Sequence, residues 1–457
     1  MLTSGIFANG GITQGFGAGG FIASGFNGNG FVEIRNGGGG GDSGASSISA
    51  DPNFQAAEDT FGFNPAVGPG DRIATVTFGG NVVQVVGSNG APLSSFGGNG
   101  SVDLDDLLGL GSQFELTVSD LEFFNDGSIL VTGFTEETGA GAVFGQGPSL
   151  PVIAKLNPNG TLDGSFTQQG FLNGTFLQLI DNGSPVQTVI DPSGRILVYG
   201  TNVADQSAAF NPDGSEPTNF VVSRLNADGT IDSSFGNNGN AFILGSSFPD
   251  SDFFGPSGEV VGIDVLDNGQ IIFAFTYTGF GADGPVQTLV VSRLGDNGSV
   301  DQSFANNGFF VRTLGTSSSD PLFQLTSSGG TAIVFDAAGE EAVILLLNAG
   351  GDLVADVDLP LASDVLLDGT STASATPTGL AIDQAGNIVV TSLRTTNGGF
   401  TSLPSTVQRI LPSGQLDTGF GVNGGAIFDF TGTHDSIFDS QDRLIVAGSD
   451  RTRFLFS

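Results

Sequence analysis

The chain has 457 residues, 39% of them hydrophobic, with no cysteine and 47 acidic against 12 basic side chains, a formal net charge of −35. A polyanion of this size excludes nucleic acid and anionic membrane surfaces as partners, since both need clustered Lys and Arg. Disulfides and thiolate chemistry are excluded with cysteine, and no run of about 18 apolar residues is present to form a spanning helix.

Residues 1–25 read as a Gly/Phe-rich arm, in which Phe-x-x-x-Gly occurs at Phe7–Gly11 and Phe16–Gly20. It carries no basic region followed by an apolar stretch, so no conventional signal peptide is visible. From residue 26 onward one unit of roughly sixty to seventy residues recurs. Its marker is the same Phe-x-x-x-Gly step, at Phe26, Phe96, Phe166, Phe235, Phe304 and Phe420. The gap from 304 to 420 is nearly twice the unit, and Leu347–Val357 (LNAGGDLVADV) fills it with a degenerate copy that puts Val357 where Phe is expected. Repeats therefore begin near 26, 96, 166, 235, 304, 357 and 420, and a period of this length signals a propeller, solenoid or array.

Within each unit a turn precedes a short apolar run, as in NDGSILVTG (125–133), PSGRILVYG (192–200), DNGQIIFAF (267–275) and SQDRLIVAG (440–448). A second extended segment then ends in its own turn, as in FVVSRLNADGTID (220–232). Asp-Gly, Asn-Gly and Ser-Gly tolerate the positive φ that tight hairpin turns need. Runs of three or four β-branched or aliphatic residues between breakers are too short for helices and suit strands buried on both faces. The expected fold class is all-β: a single seven-bladed β-propeller of four-stranded antiparallel blades over residues 26–457, with almost no helix. Residues 1–25 are expected either to complete the last blade, which closes the ring and hides an edge, or to dock into a neighbouring molecule.

The frame LNADGTIDSSFGNNG, with elements such as IDPSGRILVYG, resembles the bacterial delta-60 repeat, a propeller-forming family. The resemblance covers about residues 26–457 and is weakest around Val357. It implies a surface or secreted bacterial protein and brings no catalytic residues with it.

Chemistry-bearing motifs are few. His434 is the only histidine and reads as a loop residue before a strand. Lys155, the only lysine, shares a repeat position with Arg224 and Arg293 and is expected to pair with a nearby carboxylate. The glycine run at 36–44 lacks the lysine of a phosphate loop and reads as a surface loop. Calcium is a candidate ligand for Asp103, Asp105 and Asp106, for Asp250 and Asp252, and for the frame of Asn226, Asp228 and Asp232, although that frame is equally a hairpin turn without the downstream Glu of a calcium loop. No catalytic or cofactor-binding residue is assignable, and metal ligands stay unassigned. The expected role is a non-enzymatic extracellular structural or interaction protein of a bacterial surface, assembling with itself into filaments or layers or binding surface proteins and glycans. The alternative is a carbohydrate-binding module or glycoside-cleaving propeller with a carboxylate-lined face. Convergence of Asp and Glu from several blades on the channel would favour the alternative, whereas scattered acids would favour a structural role.

Overall fold

The computed structural model describes residues 4–6, 12–15, 22–27, 31–35, 63–77, 80–109, 114–137, 150–167, 171–173, 187–203, 218–243, 258–281, 284–315, 321–336, 342–359, 374–396, 401–421, 424–428, 434–448 and 452–456. Asp250, Asp252 and the glycine run at 36–44 lie outside them.

Four strands, β1 (Ser4–Ile6), β2 (Ile12–Gly15), β3 (Ile22–Asn27) and β4 (Phe31–Arg35), pair in that order as one sheet. The next four, β5 (Phe63–Gly68), β6 (Arg72–Val76), β7 (Val82–Val86) and β8 (Ser101–Asp103), form the first sheet of a ring. Helix α1 (Leu104–Leu108) follows. The second sheet holds β9 (Phe114–Phe123), β10 (Ile129–Glu137), β11 (Leu150–Leu156) and β12 (Phe171–Asn173). The third holds β13 (Gln187–Ile190), β14 (Ile196–Val203), β15 (Thr218–Leu225) and β16 (Asn240–Ile243). The fourth holds β17 (Gly258–Val265), β18 (Ile271–Gly281), β19 (Gly284–Leu294) and β20 (Phe309–Gly315). In the fifth are β21 (Leu322–Leu325), β22 (Thr331–Asp336), β23 (Ala342–Leu347) and β24 (Leu353–Asp358). The sixth contains β25 (Ser374–Ile382), β26 (Ile388–Thr396), β27 (Thr401–Ile410) and β28 (Gly425–Phe428), and the last β29 (His434–Phe438), β30 (Arg443–Gly448) and β31 (Thr452–Phe456).

Each sheet is an antiparallel meander. The first strands β5, β9, β13, β17, β21, β25 and β29 pack against one another in that order, and β29 returns to β5, so the ring closes around a central channel. The expectation of seven four-stranded blades is corrected by the strand pairing: the propeller has six four-stranded blades, and a three-stranded sheet, β29–β31, completes the circle. The strands at 4–35 pair among themselves.

The core lies in the seams between sheets rather than inside any one of them. Leu130, Ile153 and Phe166 of one blade meet Val198, Val221 and Leu225 of the next, and in the following seam Tyr199 meets Phe273 edge-on and Phe220 packs at a tilt on Phe275. A single repeat has only one half of each seam, which is why a lone unit cannot bury a core.

The Phe-x-x-x-Gly step is the latch across these seams. Phe96, Phe166, Phe235 and Phe304 are buried beneath the hairpin turn of the next blade. At one latch Gly229 lies against the Phe166 ring, where a Cβ would come within 2.8 Å of Cε2, and its φ of +79° independently favours glycine. The residue after each Phe donates its backbone N–H to that turn: Gly97 to Asn159 O at 3.0 Å, Thr167 to Asp228 O at 2.8 Å, Gly236 to Asn297 O at 2.9 Å and Ala305 to Gly350 O at 2.7 Å. Arg224, Arg293 and Arg409 stack over Phe235, Phe304 and Phe420. Each also pairs with the Asp eight residues on, Asp232, Asp301 and Asp417, at 2.8–2.9 Å. Lys155 pairs with Asp163 at 3.4 Å, as its repeat position predicts, but covers Phe124 instead of the latch Phe. In the degenerate copy β24 starts directly after the turn at 348–351, and Ala355 and Val357 face Gly414 of the next blade in place of a Phe ring.

Candidate binding site in the central channel

Four carboxylates from three first strands gather along the channel. Asp120 and Glu122 sit two residues apart on β9 and therefore share a face. Asp264 is on β17 and Asp435 on β29. Strand register sets their heights. Glu122 pairs with Leu130 and Asp264 with Ile272, each one step in from the hairpin, while Asp120 pairs with Thr132 and Asp435 with Ala447, each three steps in. The carboxylates thus form two tiers, Glu122 with Asp264 and Asp120 with Asp435.

β9 uses its two acids to cap the channel edge of β13. Glu122 Oε2 accepts from Ile190 N at 2.7 Å, and Asp120 Oδ2 accepts from Thr188 N at 3.4 Å and Thr188 Oγ1 at 3.3 Å. An i, i+2 pair of acceptors thereby meets an i, i+2 pair of edge donors. Thr188 Oγ1 also lies 2.9 Å from Thr132 Oγ1. Asp264 and Asp435 each accept from the next residue's N–H at 2.7 Å.

The surrounding blades crowd all four groups and thin the water around them, leaving Asp120, Glu122 and Asp264 half-buried and Asp435 exposed. Desolvation pushes Asp120, Asp264 and Asp435 up to about 6 and Glu122 up to about 8. Charge repulsion adds to burial: Asp435 raises Asp120, while Asp120 and Asp264 raise Glu122. Clustered, desolvated acids of this kind mark a candidate functional site.

The sequence motifs lie elsewhere. Asp103 caps α1 by accepting from Asp105 N and Asp106 N. The oxygens of Asp105 are taken by Asn81 Nδ2 at 2.9 Å and Leu116 N at 3.0 Å. In the NADGTID frame Asp228 Oδ1 accepts from Thr230 N and Oγ1, Asn226 Nδ2 donates to Thr230 Oγ1, and Asp232 accepts from Ser234 and Arg224. These are hairpin-turn bonds. Among the described residues no three His, Cys, Asp or Glu side chains are grouped to hold a metal ion. His434 opens β29 opposite Gly448, inside the strand and not in a loop before it. No helix among the described residues is long and apolar enough to cross a membrane.

None of the four channel acids stands out in the sequence. A signal does exist: Glu122 and Asp264 lie three residues before the first turn residue of their hairpins, at Asn125 and Asp267, and Asp120 and Asp435 lie five before Asn125 and Ser440.

A family profile described as "Domain of unknown function (DUF5122) beta-propeller" matches residues 125–166 and 192–235. No curated protein matches the chain. Among solved structures the chain is similar to streptogramin B lyase, at 12% identity and a TM-score of 0.40, covering 91% of this chain and 99% of that one. It is similar to YCF48 from Cyanidioschyzon merolae, at 11% identity and a TM-score of 0.43, over 90% of this chain and 99% of that one. A third similar structure is the alpha-L-arabinanase of Penicillium chrysogenum complexed with arabinobiose, at 11% identity and a TM-score of 0.34, over 60% of this chain and 80% of that one. The matched repeats, folded as meandering sheets in a closed ring, make the chain a β-propeller repeat protein.

Proposed function

We propose that this propeller is a non-enzymatic binding module of the bacterial exterior, of the delta-60 type, which holds a neutral, hydroxyl-rich ligand of the carbohydrate class at its channel. The observation that carries the reading is the convergence of Asp120, Glu122, Asp264 and Asp435 from three blades. Carboxylates accept hydrogen bonds from sugar hydroxyls, and a carboxyl held protonated by burial donates one as well. Binding is favoured over cleavage because Glu122 and Asp120 are held to the β13 main chain, whereas glycoside hydrolysis needs two carboxyl groups free on either side of the scissile bond.

Titration calorimetry with neutral hexose and pentose oligosaccharides tests this. Wild-type protein is expected to bind at least one of them, and Asp264→Asn to weaken that binding about tenfold, the loss of one charge-assisted hydrogen bond. Failure of the whole panel to bind overturns the reading. Release of reducing ends would replace binding with cleavage.

A further inference from the structure

We propose that the outer edge of β31 is a docking edge for β4 of a second copy of this chain. In five of the six blades the fourth strand starts at the residue after the glycine of a Phe-x-x-x-Gly step: β8 after Gly100, β12 after Gly170, β16 after Gly239, β20 after Gly308 and β28 after Gly424. β4 obeys the same rule, starting at Phe31 directly after Phe26–Gly30. It nonetheless belongs to no sheet of the ring and pairs with β3. Among the described residues β29–β31 is the ring sheet without a fourth strand. The chain therefore holds one strand with the outer-strand signature and one ring sheet lacking an outer strand, a matched donor and acceptor. An open edge presents a row of unpaired N–H and C=O groups, and strand addition is the way such an edge recruits a partner.

The blades supply the register. The first outer-strand residue pairs two positions before the third-strand residue that meets the head of the second strand. Ala154 pairs with Phe171 while Leu156 meets Ile129, Ser223 with Asn240 while Leu225 meets Ile196, and Ser292 with Phe309 while Leu294 meets Ile271. In those blades the head residue is also the one that meets the last residue of the first strand (Ile129 with Phe123, Ile196 with Ile190, Ile271 with Val265), and in β29–β31 that residue is Leu444, one after the start of β30, which meets Phe438 and pairs with Leu455. The same offset places Phe31 opposite Arg453 and Val32 opposite Thr452. Since Arg224 N donates to Gly239 O, one step before the Ser223–Asn240 pair, the Phe31–Arg453 pair is of the closely spaced, non-hydrogen-bonded kind.

A second copy is the donor because β4 lies outside the ring of its own chain and the link behind it is long enough to reach another. The ring's links from outer strand to next first strand run from 5 residues (429–433) to 15 (359–373), but 27 residues (36–62) separate β4 from β5. At about 3.3 Å per residue that link spans up to roughly 90 Å, enough to reach a neighbouring ring. Each copy then both donates and accepts. Reciprocal exchange gives a closed dimer and head-to-tail exchange an open filament.

The absence of cysteine makes the test clean. Phe31→Cys and Arg453→Cys variants of the full chain are purified separately, mixed and oxidised mildly. The mixture is expected to yield a disulfide-linked pair at about tenfold excess over either variant alone, because docking raises the effective concentration of the two thiols. Wild-type protein is expected to sediment as a dimer or longer, and a chain lacking residues 1–35 as a monomer that still unfolds cooperatively. A doubly substituted chain that cross-links within itself as a monomer overturns the proposal. So does failure of the mixture to cross-link, or a truncated chain that self-associates like wild type.

Discussion

Raising the pH from 5 to 9 is expected to lower the melting temperature, and Glu122→Gln is expected to remove the largest share of that fall. Glu122 moves from an ordinary value of 4.5 to about 8 on folding because the ring desolvates it. A carboxyl raised on folding opposes ionisation in the native state, so its stabilising form is fully present below about 4.5 and is lost as pH climbs through 8. The displacement corresponds to at most about 5 kcal/mol, and partial solvent access reduces this to roughly 2–3 kcal/mol. Asp120 and Asp264 act in the same direction over a lower window, from 3.8 to about 6, and Asp435, exposed to the channel, contributes least. Glutamine keeps an oxygen for Ile190 N and cannot ionise. Thermal melts of both proteins at pH 5, 7 and 9 measure the effect, and parallel curves would show that Glu122 is not its source. Added salt should restore little of the loss, since screening acts mainly on solvent-exposed charges.

The opposite limb belongs to the hairpin turns. Asp163, Asp232 and Asp301 are held below the ordinary range, chiefly by the hydroxyls of Ser165, Ser234 and Ser303 and with help from Lys155, Arg224 and Arg293. Their contribution is present above about 3.8 and disappears as pH falls through their lowered values. Stability should therefore peak between the two limbs, at mildly acidic pH.

The sheets were legible because each element carries a local cause. Asn-Gly and Asp-Gly turns bound short aliphatic runs, and the spacing of Phe96, Phe166, Phe235 and Phe304 announced one structural unit per step. Even the degenerate copy around Val357 could be placed, because its turn survives without its Phe. α1 was hidden inside an acidic motif read as a candidate calcium site, although Asp103 as N-cap and Gly109 at φ +66° are ordinary helix boundary signals. The channel site was not readable for a different reason. Glu122, Asp264 and Asp435 are remote in sequence and meet only once the ring has closed, so no local pattern expresses their proximity. Which strand completes the last sheet was not readable either, because the outer-strand signature carried by β4 does not say which strand it pairs with. Register is fixed by the partner as much as by the strand.

Replacing a latch phenylalanine is expected to be among the most damaging single changes in the chain. Phe235 and Phe304 are fully enclosed, each under the turn of the following blade and each covered by a guanidinium, Arg224 or Arg293. Truncation to alanine removes the ring and leaves a void that Gly298 or Gly351 cannot fill, at about 3–5 kcal/mol. It also strips the cation of its π-face, adding roughly 0.5–1 kcal/mol. Leucine refills much of the volume and should cost far less, which separates packing from a general intolerance of change. Because each blade touches only its neighbours, the damage should concentrate at one seam. Amide exchange at Gly236, whose N–H bonds Asn297 O, should accelerate in Phe235→Ala, while that at Thr167, one seam away, changes little. Denaturant melts of Phe235→Ala, Phe235→Leu and Val357→Ala complete the series, with Val357, only partly buried, the mildest of the alanine changes. An alanine at 235 costing less than 1 kcal/mol would mean that the backbone bonds between blades, and not the buried rings, hold the seams closed.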